Sequence, residues 1–206
     1  MDLGFLLRGG LIGLSIAAPV GPIGVLCIRR TLAEGRLAGL VSGLGAATAD
    51  AFYGSIAGFG LTAISGLLVS QQGWLRLVGG LFLCYLGVRT LLARPAQQAV
   101  AVRGGGLWQT YASTLFLTLT NPMTILSFAA IFAGLGLGGT RGDYASAAML
   151  VLGVFLGSAA WWLLLSSGVS AFRAQFPAAG LLWVNRLSGF IILGFGIVAL
   201  AGWRLG

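Results

Sequence analysis

The chain reads as six long apolar runs separated by short polar or glycine-rich stretches. The first covers roughly 5–28 and stops at Arg29-Arg30, after which Glu34, Gly35 and Arg36 form a polar turn. The second begins near Leu37 and continues to about Gly60, with Asp50 in its interior, and a charge-free small-residue connection links Thr62 to Trp74. The third spans about 74–93 and closes at Arg94-Pro95. A polar linker through Arg103 to Gly106 precedes the fourth, about 109–135. A glycine-rich loop with Arg141 and Asp143 leads into the fifth, about 145–169, and a loop with Arg173 and Pro177 into the sixth, about 184–203. A helix of about 20 apolar residues crosses a bilayer. Barrel strands would be about ten residues long and would alternate in polarity. These runs are longer and apolar on all sides, so the pattern predicts an all-α integral membrane protein with six transmembrane helices.

Two of the runs are interrupted. Ala18-Pro19-Val20-Gly21-Pro22 places two prolines and a glycine inside the first, and Thr120-Asn121-Pro122 breaks the fourth. An interior proline costs a helix roughly 3 kcal/mol through a lost amide donor and a clash with the preceding turn. Within a membrane such breaks persist where the freed backbone is buried in protein or lines a wet cavity. A simple kink in a packing helix is the alternative for each alone. Paired interruptions at corresponding places in two halves point to a transporter binding site.

The halves resemble each other further. Arg76-Leu77-Val78-Gly79 matches Arg186-Leu187-Ser188-Gly189, and Gly45 to Asp50 aligns with Gly157 to Trp162. Three helices is an odd number, so a duplicated three-helix unit must insert upside down the second time. The expected organisation is one membrane domain over 1–206, with a first repeat at 1–93, a cytoplasmic linker at 94–108 and an inverted second repeat at 109–206. Ser15-Ile16-Ala17 loosely resembles a cleavage site, but Asp2 precedes the run and Pro22 follows, so the first run is expected to remain a helix.

Composition sharpens the class. Of the 206 residues 58% are hydrophobic and only 8% charged, against about 25% charged in soluble domains, and the mean hydropathy is +0.98. The net charge of +8 comes from twelve arginines and four acids. They fall mainly between apolar runs, which reads as topology and lipid headgroup contact rather than nucleic-acid binding. Cys27 and Cys84 lie inside apolar runs and suggest small core residues, not a disulfide or a metal site. No nucleotide loop, metal-ligand cluster or nucleophile triad is present in the sequence, so neither an enzyme nor a cofactor is expected.

Asp50 is the acid placed deep in an apolar run. A charged aspartate at a helix centre costs about 2.5–3.5 kcal/mol, relieved by protonation or by a cationic partner. It is the candidate for proton coupling or for holding a substrate ammonium; a structural acid bonded to backbone or arginine is the alternative. Pro19, Gly21, Pro22, Asn121, Pro122 and Thr124 are the candidates at the breaks, where carbonyls suit a cation and restarting amides suit a carboxylate. Tyr53 shares a helix face with Asp50, and Trp161 and Trp162 could flank a substrate or fill space. Small residues at four-residue spacing, as in Gly35, Gly39 and Gly43, Gly54 and Gly58, or Gly153 and Gly157, mark close helix crossings.

Together these motifs resemble the LysE/RhtB amino-acid exporters. Ala18 to Gly24 is similar to their proline-glycine-proline signature, Gly35 to Asp50 to their second helix, and Asn121 to Phe128 to their asparagine-proline motif. The resemblance implies a proton-driven secondary exporter of amino acids or related solutes in the bacterial inner membrane, often dimeric. Val20 intervening after Pro19, and Met123 where many members carry lysine, depart from the family pattern and bear on the substrate. A cation or metal exporter or channel of the wider group is the alternative.

Six helices put both termini on one side. Arg29, Arg30, Arg36, Arg89, Arg94, Arg103, Arg173 and Arg186 gather at the other, which the positive-inside rule makes cytoplasmic. Reporter fusions are expected to place both termini extracytoplasmically; a cytoplasmic signal from both would reverse this topology.

Overall fold

A computed structural model describes residues 3–19, 21–59, 71–92, 106–121, 124–128, 144–172 and 178–204. It is all-helical, with no strand among the described residues. The helices are α1 (Leu3–Ala17), α2 (Pro22–Glu34), α3 (Arg36–Gly58), α4 (Gln72–Leu92), α5 (Gly106–Leu119), α6 (Tyr144–Ala171) and α7 (Ala178–Arg204). Among the described residues three stretches are long and apolar enough to cross a membrane: Gly73–Leu92, Tyr144–Ala171 and Leu182–Gly202. A fourth is added if α1 and α2 form one bent span. Helix α3 is 23 residues long, but Arg36, Asp50 and its many alanines and glycines lower its hydropathy. Helix α5 stops after 14 residues at the second break, and helix resumes at 124–128.

The first expected helix is therefore two. Pro19 and Pro22 divide it, Pro22 opens α2 as its first helical residue, and the two pieces meet at 81°. The bend gives each piece its own neighbours. Helix α1 packs along α6, whereas α2 packs on α3 and α7. A second sharp joint follows at Gly35, the lone residue between α2 and α3, with φ 107°. L side chains rarely adopt that conformation, whereas glycine does so without a Cβ penalty.

Close approach, not bulk, holds the bundle. A Cβ on Gly9 or Gly13 would overlap the carbonyls of Leu150 or Val154, and one on Gly153 or Gly157 those of Leu6 or Gly10. Gly45 seats α3 against the Tyr111 carbonyl of α5. Between α4 and α7, Gly80 faces Leu200 and Gly196, while Gly189 faces Leu91 and Gly87. In lipid, where apolar burial supplies little drive, such backbone contacts are what helices gain by associating. The outside is apolar: Leu7, Leu11, Leu164, Phe190 and Val198 are all more than 60% exposed. The inside carries fully buried Ser42, Thr114, Ser158 and Asn185. That inversion of the soluble pattern places lipid around the bundle.

Overfilling such a crossing forces backbone shifts costing about 1–3 kcal/mol. Gly157→Leu is expected to lower the thermal midpoint of the purified protein by several degrees. Gly168→Leu, at a glycine with open space around it, is expected to leave it unchanged in the same detergent.

Candidate functional site

The two breaks face one cavity of about 520 Å³, partly open to the outside. Helix α1 contributes Ile16 and Ala17, and the break contributes Pro19 and Gly21. The first turn of α2 follows with Pro22, Ile23 and Gly24; no side chain caps this turn. Leu117, Thr118, Thr120 and Asn121 of the second break face it, followed by Thr124, Leu126 and Ser127. Asn121 acts as the backbone cap of the resumed helix, its carbonyl accepting from the Thr124 and Ile125 amides at 3.1 and 3.3 Å. Helices α4 and α7 close the wall with Arg76, Gly79, Gly80 and Leu83, and with Phe195, Val198, Ala199 and Gly202.

Asp50 enters this cavity from α3 and is 3% exposed. The Ser158 hydroxyl donates to its Oδ2 at 2.7 Å, and the Trp162 indole N–H donates to Ser158 Oγ at 3.2 Å. Ser158 and Trp162 are four residues apart on α6, so one helix face supplies both groups. A hydrogen bond to a charged group contributes about 1.5–3 kcal/mol, comparable with the cost of placing an aspartate at a helix centre. The second carboxylate oxygen, Oδ1, has no partner among the described residues.

Most of the expected site residues come together here: Asp50, Pro19, Gly21, Pro22, Asn121, Thr124 and Trp162 all line the cavity. Pro122 lies outside the described residues. Tyr53 does not line it. Its hydroxyl donates to the Leu119 carbonyl and its ring packs on Phe128, 5.7 Å between centroids. Trp161 is likewise absent from the lining and packs against the apolar core around Trp162. A three-residue helical step leaves Tyr53 about 60° away from Asp50 around α3, and adjacent tryptophans necessarily diverge by about 100° around α6. Ser158 and Arg76 were missed. The first is one hydroxyl in an apolar run, whose only signal was its four-residue spacing to Trp162. The second read as a topology charge.

Arg29 and Arg30 also depart from expectation. They are not loop residues but the closing turns of α2, each 7% exposed. Arg30 Nη1 donates to Ser42 Oγ, the Thr110 carbonyl and Thr114 Oγ1 at 2.7, 3.0 and 2.8 Å, and Nη2 to Ser113 Oγ at 2.8 Å. Arg29 donates through Nε to Asn185 Oδ1 at 3.1 Å and pairs with Glu34 at 3.4 Å. This polar plate joins α2 to α3, α5 and α7. It engages residues 110–114 of α5 and 185 of α7, whereas the cavity lies along 117–121 and 195–202. The bundle is thus tied shut at one end and hollow toward the other. Arg36, Arg89 and Arg186 remain exposed, as topology charges should.

A helical membrane bundle whose paired breaks line one hollow, mostly apolar with a few polar and charged groups, has an architecture that small-molecule transporters use. The model of the LysE type translocator family matches residues 14–202, and the chain belongs to that family. It is 30% identical to YcgF of Bacillus subtilis (strain 168), whose name describes amino acid efflux, over 90% of both chains. It is 30% identical to the uncharacterized membrane protein YahN of Escherichia coli (strain K12), over 69% of this chain and 65% of that one. It is 25% identical to the threonine efflux protein of the same strain, over 64% of this chain and 68% of that one. No solved structure matches.

Arg30→Met removes four hydrogen bonds to a charged donor. It is expected to destabilise the detergent-purified protein by at least about 2 kcal/mol. Arg89→Met, at the exposed surface, should stay within about 0.5 kcal/mol in the same unfolding measurement.

Proposed function

We propose that this protein is a secondary exporter of amino acids across the bacterial inner membrane, coupled to protons, with its site at the two helix breaks beside Asp50. The observation that carries the reading is the buried Asp50 carboxylate, held on one oxygen by Ser158 and facing the cavity both breaks line. A carboxylate so placed can take a proton or a substrate ammonium but hardly both at once, which is the exclusion an antiporter requires. One charge crossing 100 mV is worth about 2.3 kcal/mol, enough for a gradient of roughly fifty-fold. The names of YcgF and of the threonine efflux protein support an amino acid as cargo. A cation exporter is disfavoured because a guanidinium, Arg76, shares the cavity with that single carboxylate.

The same reading takes the chain as six spans in two inverted units, 1–93 and 109–206, joined by the 94–108 linker. The reciprocal seats of α4 and α7 support it. One constant offset carries Gly80 to Gly189, Gly87 to Gly196 and Leu91 to Leu200, and each contact maps onto its mirror. Likewise α1 lies on α6 as α5 lies on α3. With both termini extracytoplasmic, the Arg29–Arg30 plate closes the cytoplasmic end and the cavity faces outward. By the α4–α7 offset the counterpart of Arg76 is Asn185, one position from the Arg186 expected from identities alone. Lipid contact, assembly as a homodimer and protons as the coupling ion belong to this proposal.

Counterflow into proteoliposomes with a panel of amino acids and cations tests it. The wild type is expected to exchange amino acids, faster with an imposed pH gradient, and Asp50→Asn to lose at least tenfold in rate together with that dependence. No movement of any amino acid would sink the exporter reading; an unchanged pH profile in Asp50→Asn would remove the aspartate from coupling.

A further inference from the structure

The cavity holds a second charge that the proposed coupling role leaves unused. Arg76 stands about one turn into α4 and lines the same hollow as Asp50. Its Nη1 donates to the Gly202 carbonyl of α7 at 2.8 Å. Gly202 also lines the cavity. The next residues on the same face, Gly79 and Gly80, present no side chain that could cover it. The contact to Gly202 therefore anchors one edge of the group and leaves the Nε–Nη2 edge for another acceptor.

Asp50 and Arg76 do not neutralise each other. Among the described residues the ion pair within 4.0 Å is Arg29 with Glu34, at the closed end of the bundle. Two opposite charges thus share one apolar-walled cavity, each held by a neutral neighbour and each keeping free bonding capacity. Uncompensated charge in such surroundings is costly unless it is paired. A ligand carrying an ammonium and a carboxylate would satisfy both ends at once. A guanidinium suits a carboxylate in particular, because its planar donor edge matches two oxygens.

We infer that Arg76 reads the carboxylate of the transported amino acid, while Asp50 holds the ammonium end. The inference rests on the exporter reading above and assigns to that site a specificity residue. Thr118, Thr120 and Asn121 add neutral polar groups to the same lining, and in this hollow cargo lacking a carboxylate leaves the guanidinium unpaired. Arg76 is thereby a substrate-discriminating residue, distinct from the coupling carboxylate.

The test uses neutral L-amino acids, L-threonine among them, and their carboxamides as probes. The amides keep the ammonium and remove the carboxylate charge. Binding to the purified full-length protein is read by ligand-induced thermal shift and by competition in counterflow. The wild type is expected to prefer each bound acid over its amide by at least tenfold. Arg76→Gln should collapse that preference to within about twofold, chiefly by weakening the acid, and Arg76→Lys should keep part of it. A well-folded Arg76→Gln, with wild-type elution and unchanged binding of the amide, separates this from general damage. If Arg76→Gln retains the acid preference, or if Arg76→Gln and Arg76→Lys both lose acid and amide equally, the assignment is wrong although the exporter reading stands. If the wild type binds no amino acid in the set, both fall together.

Discussion

Backbone that leaves a helix inside a bilayer must find partners or water, and the arrangement of this bundle follows from where the chain accepts that cost. At Pro19–Pro22 the first apolar run turns by 81°. The turn sends α1 along α6 and frees α2 to wedge among α3 and α7. A straight helix could not make both sets of contacts. The second break ends α5 at Leu119, opposite the first, and the two interruptions leave between them the hollow that Asp50 enters. Ser158 reaches Asp50 across the α3–α6 seam, where Gly43 leaves no Cβ to collide with the Trp162 side chain. Fold and site thus share one cause: proline sets where the helices stop, and glycine sets how near they come.

The plate at the closed end shows how a membrane protein buries two guanidiniums with one carboxylate. Arg30 is met by uncharged oxygens from α3 and α5, and Arg29 divides itself between Glu34 and Asn185. Both precede the last turn of α2, so it is side-chain and backbone oxygens of neighbouring helices that meet them. The Gly35 amide meanwhile satisfies the Arg30 and Thr31 carbonyls at 3.2 and 3.1 Å.

Helix positions and both breaks were legible in the sequence because long apolar runs and prolines are local signals. Asp50 was legible because a charge in such a run is costly and therefore conspicuous. What escaped was relational. Ser158 is chemically unremarkable until α6 turns it toward α3. Arg76 near the head of a run looks the same whether it snorkels to headgroups or faces a cavity. Arg29 and Arg30 looked like loop charges because the apolar run ends before them, yet α2 continues to Glu34 and carries both inward. Tyr53 and Trp161 lie off the cavity lining although each neighbours a residue on it, because nearness along a helix does not fix the direction of a side chain.

Helix α6, with 28 residues, is about 42 Å long at 1.5 Å per residue, whereas the hydrocarbon layer is about 30 Å thick. A helix with that excess must lean or protrude, and its lean varies with the bilayer. Glycines bind α6 to α1 by backbone contact, and Ser158 binds it to the carboxylate in the cavity. Its tilt therefore cannot change without moving what it holds. A change of bilayer thickness that alters the lean of α6 thus bears on the geometry around Asp50, the residue on which the proposed coupling turns.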